Sequence, residues 1–247
     1  MSASSRASEI DLGRLREVCS TCSLRDLCLP MGLREAEMKR LEGVVEKTRP
    51  MKSGEHLFRA QNAMRSIYAV RSGTYKSYII DSDGEEQVLG FHLPGELMGL
   101  DAIHPGRHQC NVVALDTATA CVMPFEELSQ LAGEISGLQR QIMRLLSKEI
   151  TSLVPVAADH SAETRLAIFL LSLSRRFGER GYSPHRFRLA MPRRDIANYL
   201  RLATETVSRV LRRFQDEGYV TVERREIILN DLNELGKLAG DASSTAN

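Results

Sequence analysis

No run in this 247-residue chain is long and apolar enough to span a membrane, and Met1 to Ile10 is polar and Ser-rich rather than a signal peptide. The expected location is the cytoplasm. No Gly-rich cofactor loop follows a strand, no second Cys-rich cluster occurs, and no acid/base pair stands in a pocket-like context. Nothing here supports an enzyme. None of the six histidines has ligand spacing near a cysteine, and there is no internal repeat. Lysine is missing from His160 to Arg225, where 14 arginines face seven acidic residues and leave about +7. The remainder carries about −6, and a split of this kind points to nucleic acid at the basic end more than to a merely solvated cationic face.

What is present is concentrated towards the two ends. Cys19, Cys22 and Cys28 crowd into ten residues with the spacing C-x2-C-x5-C. Five cysteines in a cytoplasmic chain point to metal ligation or redox chemistry rather than structural disulfides. Three thiolates can hold three corners of an iron–sulfur cluster, which usually needs four. Cys110 and Cys121 are the candidates for the fourth. Cys121 is favoured because it lies directly before a long helix that would have to respond to the cluster. Structural zinc usually takes two short-spaced pairs, and only one C-x2-C occurs here. A thiol–disulfide switch leaves the third cysteine unexplained. Spacing alone favours iron–sulfur and leaves the other two open.

The other end carries a helix-turn-helix signature, Asp195-Ile196-Ala197-Asn198-Tyr199-Leu200 followed by Thr204-Glu205-Thr206-Val207-Ser208-Arg209. Pro192 opens the first helix, Thr204 to Glu217 reads as the recognition helix, and Gly218 stops it. Positions i, i+3 and i+4 put Glu205, Ser208 and Arg209 on one face, with Thr204, Thr206 and Arg194 beside them. An arginine there can grip guanine through two hydrogen bonds, and a glutamate can accept from cytosine N4. The plainer role for Glu205 is a charge favouring the helix dipole.

Between the ends, residues 31–125 read as short strands separated by turns such as Ser72-Gly73 and Pro94-Gly95, a compact β roll or barrel. Leu128, Leu131, Ile135, Leu138, Ile142 and Leu145 then step by three and four, as a coiled-coil seam does. Leu146, Ile150 and Leu153 continue an apolar stripe one step round, and Pro155 is expected to stop or kink the helix. A dimer helix is favoured over a helix packed on its own domain. Thr164 to Phe177 reads as a further helix ending at Gly178, and Tyr219–Val222 with Glu226–Leu229 as a hairpin wing. The fold class is therefore α+β. A cysteine-rich segment (1–30) is followed by a β-roll sensor (31–125) and a dimerisation helix and hinge (126–158). A winged helix-turn-helix (159–238) and a disordered tail (239–247) complete the chain.

Cys19 to Cys28, Gly90-Phe91-His92-Leu93-Pro94-Gly95-Glu96-Leu97, Leu173-Ser174-Arg175-Arg176-Phe177 and Glu205 to Arg209 resemble the fumarate and nitrate reductase regulators, the oxygen-sensing branch of the cyclic-AMP receptor superfamily. The resemblance runs from about Cys19 to Leu238. It implies a [4Fe-4S] cluster on Cys19, Cys22, Cys28 and Cys121, with Ser23 and Leu27 tuning it. It also implies a homodimer that binds palindromic TTGAT-like sites in double-stranded DNA, meets RNA polymerase, and activates or represses genes of anaerobic metabolism. The dimer interface it implies takes in Leu131, Ile135, Leu138, Ile142, Met143, Leu146, Ile150 and Leu153. No cyclic nucleotide is expected, because Leu100 and Asn111-Val112 stand where such a pocket needs an acid and an Arg-Ser pair, and an unpaired buried phosphate is costly. Leu153 replaces an aspartate common in the family, so the cluster-free form is expected to dimerise more readily than a typical member.

Overall fold

The structure, a computed structural model, describes residues 19–157 and 160–240, and within them all side chains but those of 152–157. The tail expected from 239 thus lies, beyond Gly240, outside the described residues, and so does the Leu153 side chain. Cys19–Thr21 forms a single 3-10 turn, and Cys22 to Leu33 continues as chained tight turns. Helix α1 (Glu35–Glu42) follows, where the sequence reading expected only β structure. A capping box between Arg34 and Glu37 starts it, and Met38 and Leu41, three apart, bury one face. With only two buried residues in eight, its amphipathic signal is faint.

Strands β1 (Glu46–Lys47), β2 (His56–Phe58), β3 (Ser66–Ser72), β4 (Tyr75–Ile80), β5 (Glu86–His92), β6 (Leu97–Met98), β7 (Asn111–Ala114) and β8 (Thr119–Pro124) make two antiparallel sheets. Their orders are β1-β8-β3-β6 and β2-β7-β4-β5. Val70, Tyr75, Met98, Val112, Ala114 and Ala120 belong to one buried cluster of this roll. Gly73, at φ 75°, makes the β3–β4 turn possible: a Cβ there would lie 2.6 Å from the Thr117 carbonyl oxygen.

The helical seam departs from expectation. Helix α2 (Phe125–Glu134) ends at Ile135, whose backbone is extended, and α3 (Ser136–Ala157) starts afresh. Leu131, Ile135 and Leu138, expected at a dimer interface, are buried in the protomer's own core with Leu29, Leu41, Ile67 and Leu128. Leu138 has no exposed surface at all, so it cannot meet a partner as well. Pro155 does not end α3, whose backbone continues to Ala157.

Helix α4 (Ala162–Glu179) passes through Gly178, the expected stop, and ends before Gly181 at φ 76°. Strand β9 (Arg186–Arg188), helix α5 (Arg193–Tyr199), helix α6 (Thr204–Asp216) and strands β10 (Val220–Glu223) and β11 (Glu226–Leu229) complete a winged helix-turn-helix. Helix α7 (Leu232–Leu238), capped by Asp231 and absent from the sequence reading, closes against α4. The roll and this unit share one core, in which Val88, Phe91 and Leu93 pack with Leu166, Phe169, Leu170 and Ala197. Polar contacts reinforce it. The Asn198 amide accepts from Val88 N (2.6 Å) and donates to the Glu86 carbonyl (2.6 Å), completing a strand edge as a peptide would.

Candidate functional site

Cys19, Cys22 and Cys28 reach one cavity because the chained turns coil the loop onto the β3–β8 sheet. Cys121, on β8 and in register with Ala69 of β3, enters the same cavity from the sheet side. The remaining wall is largely apolar, with Leu24, Leu29, Leu41, Val45 and Met123. Cys110 is elsewhere. It is buried at the start of β7 with Sγ 3.5 Å from an Asp101 oxygen, and burial next to that carboxylate pushes its thiol up to about 12. Burial raises Cys28 to about 11, partly opposed by a hydrogen bond from Leu29 N. Such a thiol gives up its proton when a metal takes it, since the ion stabilises the thiolate.

Among the described residues no three donors converge tightly enough to hold one metal ion. A cubane cluster asks for something else, since its four thiolates each bind a separate iron. Four cysteines lining one largely apolar cavity are the kind and number of donors that such a cluster needs. The loop also touches α3. Gln141, buried on that helix, donates through Nε2 to the Cys28 carbonyl at 3.0 Å. Gly137 lies where a Cβ would come within 3.3 Å of Leu33. Sequence reading missed Gln141, and only the glycine hinted that α3 runs close to the loop.

The face expected to read DNA lies on α6. Val207, Val210, Leu211 and Phe214 bury its inner stripe, which leaves Glu205, Ser208 and Arg209 exposed together. Thr204 and Thr206 are half-buried beside them, and Arg194 is exposed on α5. The Ser208 hydroxyl donates back to the Thr204 carbonyl at 2.9 Å, so its oxygen lone pairs stay open. Arg213, one turn beyond Arg209, is occupied by Glu163 and Glu217.

Two family models match the chain. Residues 48–134 match the cyclic nucleotide-binding domain, and residues 164–238 the Crp-like helix-turn-helix domain. A fumarate nitrate reduction regulatory protein of Klebsiella oxytoca is 45% identical over 231 residues, 92% of each chain. Its counterpart in Escherichia coli K12 is 44% identical over the same share of both. The chain belongs to the fumarate and nitrate reduction regulators. It is accordingly a DNA-binding transcription regulator and not an enzyme. Among solved structures, FixK2 from Bradyrhizobium japonicum matches with TM-score 0.72 and 27% identity, covering 81% of this chain and 99% of that one. A CooA mutant from Carboxydothermus hydrogenoformans matches with TM-score 0.65 at 18% identity over 91% and 99%, which concerns the fold alone.

Of the apolar residues assigned to a dimer surface, Met143 and Ile150 of this regulator are 60% and 67% exposed. Leu146 between them and Ile142 on the inner side are half-buried, Ile142 resting on the protomer core. The steps 143, 146, 150 draw a stripe along α3. No helix among the described residues is long and apolar enough to cross a membrane.

Proposed function

We propose that this oxygen-responsive regulator holds a [4Fe-4S] cluster on Cys19, Cys22, Cys28 and Cys121, and binds palindromic TTGAT-like DNA as a homodimer in the cytoplasm to control genes of anaerobic metabolism. The observation that carries the reading is the single cavity lined by those four cysteines, three from the loop and one from β8. When bound, the cluster supplies an oxygen-labile iron–sulfur core. The chain's own residues do the rest. The apolar wall of Leu24, Leu29 and Met123 limits access of water. Gln141 fixes the carbonyl of Cys28 to α3, so the position of the loop bears on the helix whose Met143 and Ile150 face outward. Two such stripes facing each other bring two α6 helices to successive major grooves, with Arg209 and Glu205 reading bases.

The roll keeps the cyclic nucleotide-binding architecture, but the chemistry favours no such ligand. Leu100 carries no charge, Val112 is apolar, and the Asn111 amide is engaged with Ala60 N at 3.1 Å and the Tyr78 carbonyl at 3.4 Å. RNA polymerase is the partner that regulation of transcription requires.

The test is a visible absorption spectrum of protein purified without oxygen, with iron and sulfide assays on the same sample. A brown protein with about four irons and four sulfides per chain, bleached by air with loss of DNA binding, is the expected result. A colourless protein with one zinc per chain would overturn it.

A further inference from the structure

One short segment touches both the cysteine loop and the DNA-binding half of the same protomer. Gly95 lines the cysteine cavity at φ 91°, and a Cβ there would meet Leu27 Cβ at 3.2 Å and Leu24 Cβ at 3.8 Å. The loop between Cys22 and Cys28 therefore rests directly on this glycine. The next residue points the other way. The Glu96 carboxylate accepts from Arg176 Nε at 2.9 Å and Nη2 at 2.6 Å, and from Arg180 Nη2 at 2.7 Å, both arginines lying in or just beyond the last turn of α4. Arg180 Nε also donates to the Pro94 carbonyl at 2.7 Å, and Arg176 Nη2 to that of Phe91 at 2.5 Å. Arg180 is nearly fully buried, and Glu96 and Arg176 are mostly so. Three acceptors of residues 91–96 are thus gripped by two guanidinium groups of the DNA-binding half.

The backbone between the two contacts has little freedom. Gly95 N donates to Val70 O at 2.8 Å and Val70 N to Glu96 O at 2.9 Å, which pins the turn to β3 on both sides. With no slack in the turn to absorb it, a displacement of Leu24 and Leu27 against Gly95 would be felt at Glu96 as strain on its carboxylate contacts. A charge-assisted bidentate contact is sensitive to a shift of a fraction of an ångström. Helix α4 packs against α6 and α7, so its tilt sets where the recognition helix sits.

We infer that Glu96 is a positioning residue that couples the cysteine loop to the recognition helix within one protomer, through Gly95 on one side and Arg176 with Arg180 on the other. This route rests on the loop being the sensor, as proposed above, but it does not need the dimer. Monomeric protein therefore responds at α4 to the state of the loop, before any change in association.

The experiment is amide hydrogen exchange of the full chain, iron-loaded without oxygen and iron-free, following peptides across 91–97 and 162–180. Iron and sulfide contents measured first report separately on the sensor reading; a protein that takes up no cluster defeats that reading, and this inference with it. With loading established, exchange in 162–180 should slow by about tenfold or more on loading. The same ratio should appear in Met143→Asp, a variant chosen to be monomeric. Glu96→Gln should bring the loaded-to-empty ratio close to one. A merely structural clamp would speed exchange equally in both states and leave the ratio alone. If Glu96→Gln does not fold, Gly95→Ala tests the other contact with the arginine grip intact, and its ratio should also collapse. An unchanged ratio in the variant that folds, or a loading effect that vanishes in the monomer, overturns the inference.

Discussion

Replacing Lys76 by methionine should destabilise the regulator far more than removing the acid it pairs with. Lys76 is 6% exposed on β4, and its Nζ lies 3.0 Å from Asp195 Oδ2 of α5 and 2.8 Å from Glu86 Oε2 of β5. The two acids differ. Asp195 is 3% exposed, whereas the Glu86 side chain is 41% exposed and keeps its water. With Lys76→Met, the only cation left at ion-pair distance from Asp195 among the described residues is Arg194, at 3.8 Å on a side chain 81% exposed. Stranding one partner of a buried ion pair costs about 3–5 kcal/mol. Asp195 sits in the first turn of α5, where helix N–H groups favour its charge, so the lower half of that range is expected. With Asp195→Ala, Lys76 retains Glu86 and lies over the Tyr78 ring at 5.2 Å. The loss is then one of two ion-pair contacts, at most about 1.5–3 kcal/mol less the strengthening of the remaining pair. A double variant, Lys76→Met with Asp195→Leu, strands no charge and should be more stable than Lys76→Met alone. Urea unfolding of the four iron-free proteins, with slopes compared to check two-state behaviour, gives the ordering. Equal losses in the two single variants, or a double variant as unstable as their sum, would show that Asp195 is hydrated and the argument from burial wrong.

Three further outcomes test other parts of the molecule. Cys121→Ala should abolish iron and sulfide retention in protein prepared without oxygen, while Cys110→Ala, which alters a thiol outside the cavity, should retain both; the reverse pattern would move the fourth ligand to Cys110. Arg209→Ala should cost about 1–3 kcal/mol at the cognate site and much less on random DNA, measured by fluorescence anisotropy at fixed salt, whereas equal loss on both would make Arg209 a phosphate contact. Acid should weaken the iron-free fold in two overlapping stages. Burial holds His92 down to about 4 against an ordinary 6.5, so between those values the unfolded chain takes a proton that the folded one refuses, and stability falls as pH falls. For Glu96, burial alone would raise its carboxyl, but Arg176 and Arg180 overcome it and hold it at about 2 against 4.5, so its contribution is present above 4.5 and is lost as pH falls towards 2. Urea midpoints from pH 7 to pH 4 should drop in the wild type and flatten in His92→Phe; a wild-type midpoint constant over that range would show that His92 titrates normally.

What could be read along the chain was whatever chemistry is local. The C-x2-C-x5-C spacing and the Glu205 to Arg209 face are each set within one loop or one helix, and both stand in the fold as single surfaces. The contacts that join distant elements leave no such trace. Gln141 is one of two glutamines on α3, and nothing in its neighbours announces the carbonyl of Cys28, 113 residues away. Asn198 belongs to the helix-turn-helix signature by position, yet its amide completes the edge of a strand 110 residues earlier.

The seam shows why pattern alone misassigned three residues. Steps of three and four require that one face of a helix be covered, but they do not say by what. From Leu128 to Leu138 the cover is the protomer's own roll and cysteine loop. A signal for the change was present in Gly133 and Gly137, which flank the break at Ile135, and Gly137 leaves room for Leu33 to approach α3. Past that break the inner positions 142 and 145 still rest on the core, while 143 and 150 turn outward with no cover among the described residues. An apolar side chain fully buried by a partner there would stabilise association by about 1.5–3 kcal/mol, so Met143 and Ile150 together would be enough to make the proposed dimerisation responsive to modest shifts of α3. Among the described residues, the half of the seam near the cysteines packs on the loop and roll, and the far half is the part proposed to meet a second copy. Division of one helical pattern between these two tasks places Gln141, at the junction, where a movement of the loop reaches the outward stripe within a single helical turn.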